Sequence, residues 1–370
     1  MRLFNPVAYT SSPNGYTPRF IQGVAMKIWL LLLCFLFSGV QAAEVDQFTG
    51  INHLKDSSAV IEAEVNRRIQ LAITKANSHY PQPLQKKKLH HRIRPQCDVE
   101  RLYGQLQAQL AKSLIGQVET FAEESSQVDK RRVTFQQSVY RDFERLDAPS
   151  LVMSERVAAV IRVNHVYLGT DKLGHFFTEG NTYFEITDRM SRGVEAGLLY
   201  GEWSESLYFG AQTTGVYSYA DLVANFNGLR FWNRILATHA DPLKGEYQAP
   251  YIACSNKRWV FNERFSFDDY VDYGWDESIN CSAMRTEKLL QQFKQYQPQC
   301  DGGKVPRRYG DYSRRIINRD DFKVLPYDLQ PEIIVSRRSY VHEWNLPGWV
   351  AETIHEIRLD LEIWREGSPD

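Results

Sequence analysis

The sequence predicts a mainly α protein: a compact helical domain built on a central three-helix unit, with an irregular, disulfide-stapled C-terminal region carrying minor β structure. Three observations predict it. Apolar residues recur at three- and four-residue steps through the first half of the chain. Three helical patterns follow one another between Asp171 and Ala237. Beyond Pro242 the periodicity gives way to aromatic residues, turn signals and three closely spaced cysteines.

Taken in order, residues 1–42 read as an upstream extension plus a signal peptide. Met26 and Lys27 begin a short positive segment, an apolar run spans Ile28 to Phe37, and small residues near Val40 and Ala42 mark a cleavage site. The mature chain would then be exported and periplasmic, with 370 − 42 = 328 residues. No later run approaches the ~18 apolar residues of a spanning helix.

Residues 43–130 read as an N-terminal helical layer. Ser58 to Ala76 carries Ile61, Val65, Ile69 and Ile73 at four-residue steps, with Ser58 as its N-cap. Pro81 and Pro83 end it, and the basic stretch Lys86 to Arg94 is a solvated linker that also suits an anionic lipid surface. Asp98 then opens one long helix with Leu102, Leu106, Leu110, Leu114, Val118 and Phe121 on a single stripe.

Residues 131–240 form the motif-bearing unit. "RVTFQQSVYRDF" suits a strand or a short helix, and Ile161 to Thr170 reads as one strand leading into a turn. Residues 241–370 are the aromatic region, closed by a helix with Val350, Ile354, Ile357, Leu361 and Trp364 on one face. His342 and His355, beside acids at that helix, read as surface or capping residues.

Cysteine usage agrees with export. Apart from Cys34, inside the leader, the chain holds Cys97, Cys254, Cys281 and Cys300, enough for two disulfides in any of three pairings. One bridge is expected to staple the C-terminal region, which makes Cys97 reach across the fold. With a formal net charge of −1, no general electrostatic attraction to nucleic acid exists.

The chemistry-bearing residues lie on the three central helices. Asp171, His175, Glu179 (or Thr178) and Thr182 share a face of the first. The second carries Glu195, Glu202 and Glu205, together with Gly193, Gly197 and Gly201 four residues apart. Glycines in a helix cost ~1 kcal/mol each, which points to close packing of this ridge on another helix. In the third, Asp221 and Asn225 sit one turn apart, and Ser218 with Asp221 fits a capping box. Asp171 also suits a helix cap, and His175 an ordinary buried histidine.

The ordered words D-K-x-x-H-F, a glycine-rich helix with an internal glutamate, and S-x-x-D-x-x-A-N-x-x-G resemble those of the VanZ-like family and related predicted periplasmic lipoproteins. They fall on Asp171, Lys172, His175 and Phe176; on Glu202 or Glu205; and on Ser218, Asp221, Ala224, Asn225 and Gly228. The resemblance covers about 60 of the 328 residues of the expected mature chain. VanZ-like proteins span membranes many times, whereas these helices are too polar to do so. The resemblance therefore implies a shared polar site on a small helical unit, not a membrane role.

Four functions follow. The first is an exported protein that binds or modifies a lipid-linked or glycan envelope component through Asp171, Lys172, His175, Glu202, Glu205, Asp221 and Asn225. The second is a lysozyme-like enzyme using the paired acids of "EWSES". The third is a metal-dependent hydrolase with His175 and Glu179 as ligands, completed by Glu202 or Asp221, the cofactor being a divalent metal. The fourth is a scaffold or assembly protein whose polar residues form a closed, non-catalytic network.

Overall fold

Ile61, Val65, Ile69 and Ile73 do form one buried stripe, on the helix α1, Ser58–Asn77. The computed structural model describes residues 43–50, 53–78, 97–111 and 116–336. The expected leader, the basic linker, Leu114, the expected closing helix, His342 and His355 lie outside the described residues. Ser58 is the first helical residue and not the cap. Ser57 is the cap residue, without a side-chain cap bond, and Asp56 before it accepts from the Ser58 backbone N–H at 2.9 Å.

The long helix expected from Asp98 onward is two helices. α2, Val99–Leu110, is capped by Asp98, whose carboxylate accepts from the Arg101 N–H at 3.0 Å. α3, Gln117–Glu124, starts after Gly116. The break has a packing cause. A Cβ on Gly116 would sit 3.0 Å from Gly174 Cα, so the chain approaches another backbone there.

Small strands connect these helices to the central unit. β1, Glu44–Val45, pairs in parallel with β3, Val157–Ala158. β2, Lys130–Arg131, is followed by a 3-10 turn at Phe135–Gln137, so "RVTFQQ" holds both a strand end and a short helix. The single strand expected over Ile161 to Thr170 is a hairpin: β4, Val160–Val163, turns at Asn164 and His165 into β5, Val166–Gly169. Both turn residues have positive φ, 49° and 66°, the geometry that matches strand twist in a two-residue loop. His165 is therefore an exposed loop residue.

The central helices follow. α4 runs as Asp171–Gly174, a π turn over His175–Glu179, and Gly180–Ile186. α5 is Glu195–Leu207 and α6 is Tyr219–Arg234. Every residue of α6 is buried, its polar ones included, so it is the axis of the fold. Its polar groups are matched: Asn227 donates to the Val223 carbonyl and the Tyr309 hydroxyl, and Arg230 pairs with Asp241 at 3.0 Å.

The glycine contacts differ from the expected ridge. Gly193 lies before α5 at φ 76°, while Gly197 and Gly201 face the ring of Tyr183 on α4. The direct backbone crossing is elsewhere. Gly180 of α4 meets Gly228 of α6 so closely that a Cβ on either would overlap the other's Cα. Close approach therefore follows the conformation of whole helices, which a spacing of glycines on one of them does not specify.

Beyond α6, among the described residues, come a hairpin, Ile252–Ser255 with Arg258–Phe261, short strands and 3-10 turns, and three short helices, the longest Glu287–Lys294. The described part of the fold is mainly α, with short strands only. Cys97 joins Cys254, tying the entrance of α2 to that hairpin, and Cys281 joins Cys300 within the C-terminal region. The described residues after Gln41 belong to one unit, so the C-terminal region packs into the same body as the central helices. Among the described residues, no helix is long and apolar enough to cross a membrane.

Candidate functional site

The first turns of α4 and α6 lie side by side, and this places Asp171, Lys172 and His175 against Asp221 and Asn225. Lys172 is wholly buried. Its ammonium sits 2.8 Å from Asp171 Oδ2, 2.5 Å from Asp221 Oδ1 and 2.6 Å from Glu277 Oε1. Two of these contacts are hydrogen bonds, to Asp171 and Glu277, and the third, to Asp221, is an ion pair. Burial opposes its charge, but the three carboxylates outweigh it and hold the pKa well above the usual lysine value.

Asp221 is shared. Its other oxygen, Oδ2, lies 3.1 Å from His175 Nε2. Burial would raise this carboxyl, yet His175 and Lys172 together hold it well below the usual range. The capping box expected at Ser218 is only half made. Ser218 Oγ accepts from the Asp221 N–H at 3.2 Å, but the Ser218 N–H donates to Glu205 Oε1 at 2.9 Å, not to Asp221. Glu205 thus releases the Asp221 carboxylate from the cap and leaves it to Lys172 and His175. Asp171 likewise caps nothing: it lies inside the first turn of α4.

His175 begins the π turn, and Gly180 N–H bonds back to its carbonyl. Its side chain is 16% exposed, which makes it the solvent-facing member of the cluster. Burial disfavours the charged ring, but the Asp221 carboxylate overcomes this and pushes the pKa up to about 10. Asn225 lies at the other ring nitrogen. With its Nδ2 toward the carbonyls of His175 (3.2 Å) and Asp221 (3.3 Å), the amide donates to Nδ1 at 3.1 Å and takes the Tyr183 hydroxyl on Oδ1. That arrangement suits a ring with no proton on Nδ1. Protonating Nδ1 requires the amide to turn over and accept from it, so Nδ1 protonation and amide orientation change together.

The expected site residues separate into two groups. Asp171, Lys172, His175, Glu205, Asp221 and Asn225 meet. Glu202 does not join them: it is paired to Arg315 at 2.5 and 2.7 Å, and Arg315 also binds Glu195. The two acids of "EWSES" thus point to different partners. His175, Asp171 and Asp221 each bring a ligand atom within 4.8 Å of the others, a group in which Glu179 has no part. Glu179 follows on the π turn, which re-aims the residues after His175, and burial raises its carboxyl pKa.

Sequence reading missed Glu277, Glu44 and Glu119. Glu277 comes from the irregular "WDES" stretch and accepts from Ser218 Oγ at 2.9 Å; burial and its acidic neighbours push it up to about 7. Glu44, beside it, is raised well above the usual carboxylate range by burial and by the charges of Glu277 and Asp221. Glu119 of α3 packs on Gly174 beside Arg156, with burial pushing it up to about 8. No periodicity or spacing marks these three, because each arrives from a distant part of the chain. Comparison with protein-family models, curated proteins and solved structures finds no match for this chain.

Proposed function

We propose that this is an exported cell-envelope protein that binds or modifies a lipid-linked or glycan envelope component at the His175 face of the Asp171–Lys172–Asp221 cluster. One observation carries the reading. Two short words about fifty residues apart, D-K-x-x-H-F and S-x-x-D-x-x-A-N-x-x-G, converge residue by residue: Lys172 and His175 on Asp221, His175 on Asn225, and Phe176 on Gly228. The resemblance of those words to VanZ-like sequences then denotes a shared polar site. The two disulfides support export, since such bonds persist in oxidising compartments.

The concentration of charge favours function over packing. A buried ion cluster stabilises a fold less than well-packed apolar residues of the same volume. An aromatic row leads outward from Asn225 through Tyr183, Tyr200, the half-buried Trp203 and Tyr208, and rings of this kind stack on sugar faces. The scaffold reading rests on the three carboxylates that surround Lys172.

Native mass spectrometry of the mature exported protein, against its denatured mass, tests the proposal. An organic mass excess that His175→Ala removes is the expected result. A bare oxidised chain, with no retention of added muropeptides or lipid-linked glycan, overturns it in favour of the scaffold.

A further inference from the structure

Five carboxyl groups, Glu44, Asp171, Glu205, Asp221 and Glu277, surround one lysine and one histidine in this interior. The lysine takes one oxygen from each of Asp171, Asp221 and Glu277. The remaining oxygens of the two aspartates are the informative ones. Asp221 Oδ2 faces His175 Nε2. Asp171 Oδ1 is buried with no hydrogen-bond partner, on a residue only 5% exposed. Gly169 leaves it room, since a Cβ there would overlap that oxygen. A buried, unsatisfied carboxylate oxygen is costly, and a proton, an ordered water or a cation compensates it.

We propose that Asp171, His175 and Asp221 form a three-ligand site for one divalent transition-metal ion, Zn2+ or Mn2+, with the remaining coordination positions open toward the exposed edge of His175. The inference rests on the reading of these residues as the functional site, and names the cofactor of that site. One imidazole and two carboxylates are a ligand set for Zn2+ or Mn2+, whereas Ca2+ takes six to eight oxygens. Ligand atoms about 2.1 Å from a tetrahedral ion stand about 3.4 Å apart, so a group within 4.8 Å closes on an ion by side-chain adjustment of about an ångström. Lys172 holds the inner oxygens of both aspartates and orients the outer ones. Asn225 lies 3.1 Å from Nδ1 on the far side of the ring; turned over from the orientation described above, its Oδ1 accepts the Nδ1 proton, which leaves the Nε2 lone pair for the metal. The amide that turns over with Nδ1 protonation thus becomes the group that fixes the metal-binding tautomer.

The test uses the untagged, oxidised mature protein, freed of metal with chelator and returned to Zn2+, Mn2+ or Co2+. One equivalent bound per chain, and a rise in Tm of about 5 °C at a hundredfold excess over Kd, are expected. Co2+ is expected to give visible d–d absorption. Asp171→Asn and the milder His175→Gln should each lower affinity at least tenfold. His175, only partly buried at 16% exposure, keeps the test usable where Asp171→Asn fails to fold. Absence of any stoichiometric ion with an unmoved Tm, or equal affinity in wild type and His175→Gln, overturns the site. Metal content and organic ligand are read separately in the same native spectrum. An organic ligand retained by protein that rebinds no ion overturns the metal alone, and a bound ion without an organic ligand supports the metal while counting against the envelope ligand.

Discussion

Replacing Lys172 by methionine keeps an unbranched side chain of similar length and removes only the ammonium. Asp171, Asp221 and Glu277 would then face one another across a site from which Lys172 itself is wholly shielded, with the three contacts of 2.5 to 2.8 Å gone. Removing one partner of a buried ion cluster costs ~3–5 kcal/mol, chiefly because the charges left behind are uncompensated. Protons can replace the ammonium if they are available. The loss should therefore be ~3–5 kcal/mol at pH 7 and smaller by more than ~1 kcal/mol at pH 5, where the carboxyl groups protonate at less cost. Urea unfolding of the oxidised protein at the two pH values, followed by tryptophan fluorescence, measures both quantities. A loss under ~1 kcal/mol at pH 7 would refute the reasoning, as would an equal loss at both pH values.

Burial raises the Glu119 carboxyl from 4.5 to about 8, against the opposing pull of Arg156, so the folded state keeps a proton that the unfolded state releases. Its contribution is present below about pH 4.5 and is lost as pH rises to 8, by at most ~5 kcal/mol at ~1.4 kcal/mol per pH unit; Glu119→Gln should flatten the pH dependence of Tm over that window. Gly228→Ala would drive a methyl group into the Phe176 carbonyl and Gly180, and should cost about 3 kcal/mol in chemical denaturation. Gly104→Ala, in open space on α2, should instead stabilise by ~0.5–1 kcal/mol. The Cys97–Cys254 bond closes a loop of 157 residues and Cys281–Cys300 one of 19, so loop entropy assigns them about 5 and about 3 kcal/mol. Paired Cys→Ser variants should therefore differ by ~2 kcal/mol in urea, with the Cys97–Cys254 pair the more damaging.

Local rules made much of this protein legible. The stripe Ile61, Val65, Ile69 and Ile73 determined α1, because a helix repeats every 3.6 residues whatever it packs against. Asp98 and Ser218 determined two helix starts, since a cap needs only a backbone N–H three residues on. The ordered words around His175 and Asp221 supplied six residues that do meet. What failed were inferences about partners. Glu202 and Glu205, three apart on one helix, were separated by Arg315 on one side and Ser218 on the other. The helix expected through Phe121 broke at Gly116 because Gly174 approaches it, and the backbone crossing fell at Gly180 and Gly228, away from the glycine ridge. Only the tertiary structure brought Glu44, Glu119 and Glu277 to the cluster. The reason is physical: periodicity and capping act within a few residues along the chain, whereas the charge and burial that define this site act through space between segments as far apart as Glu44 and Glu277.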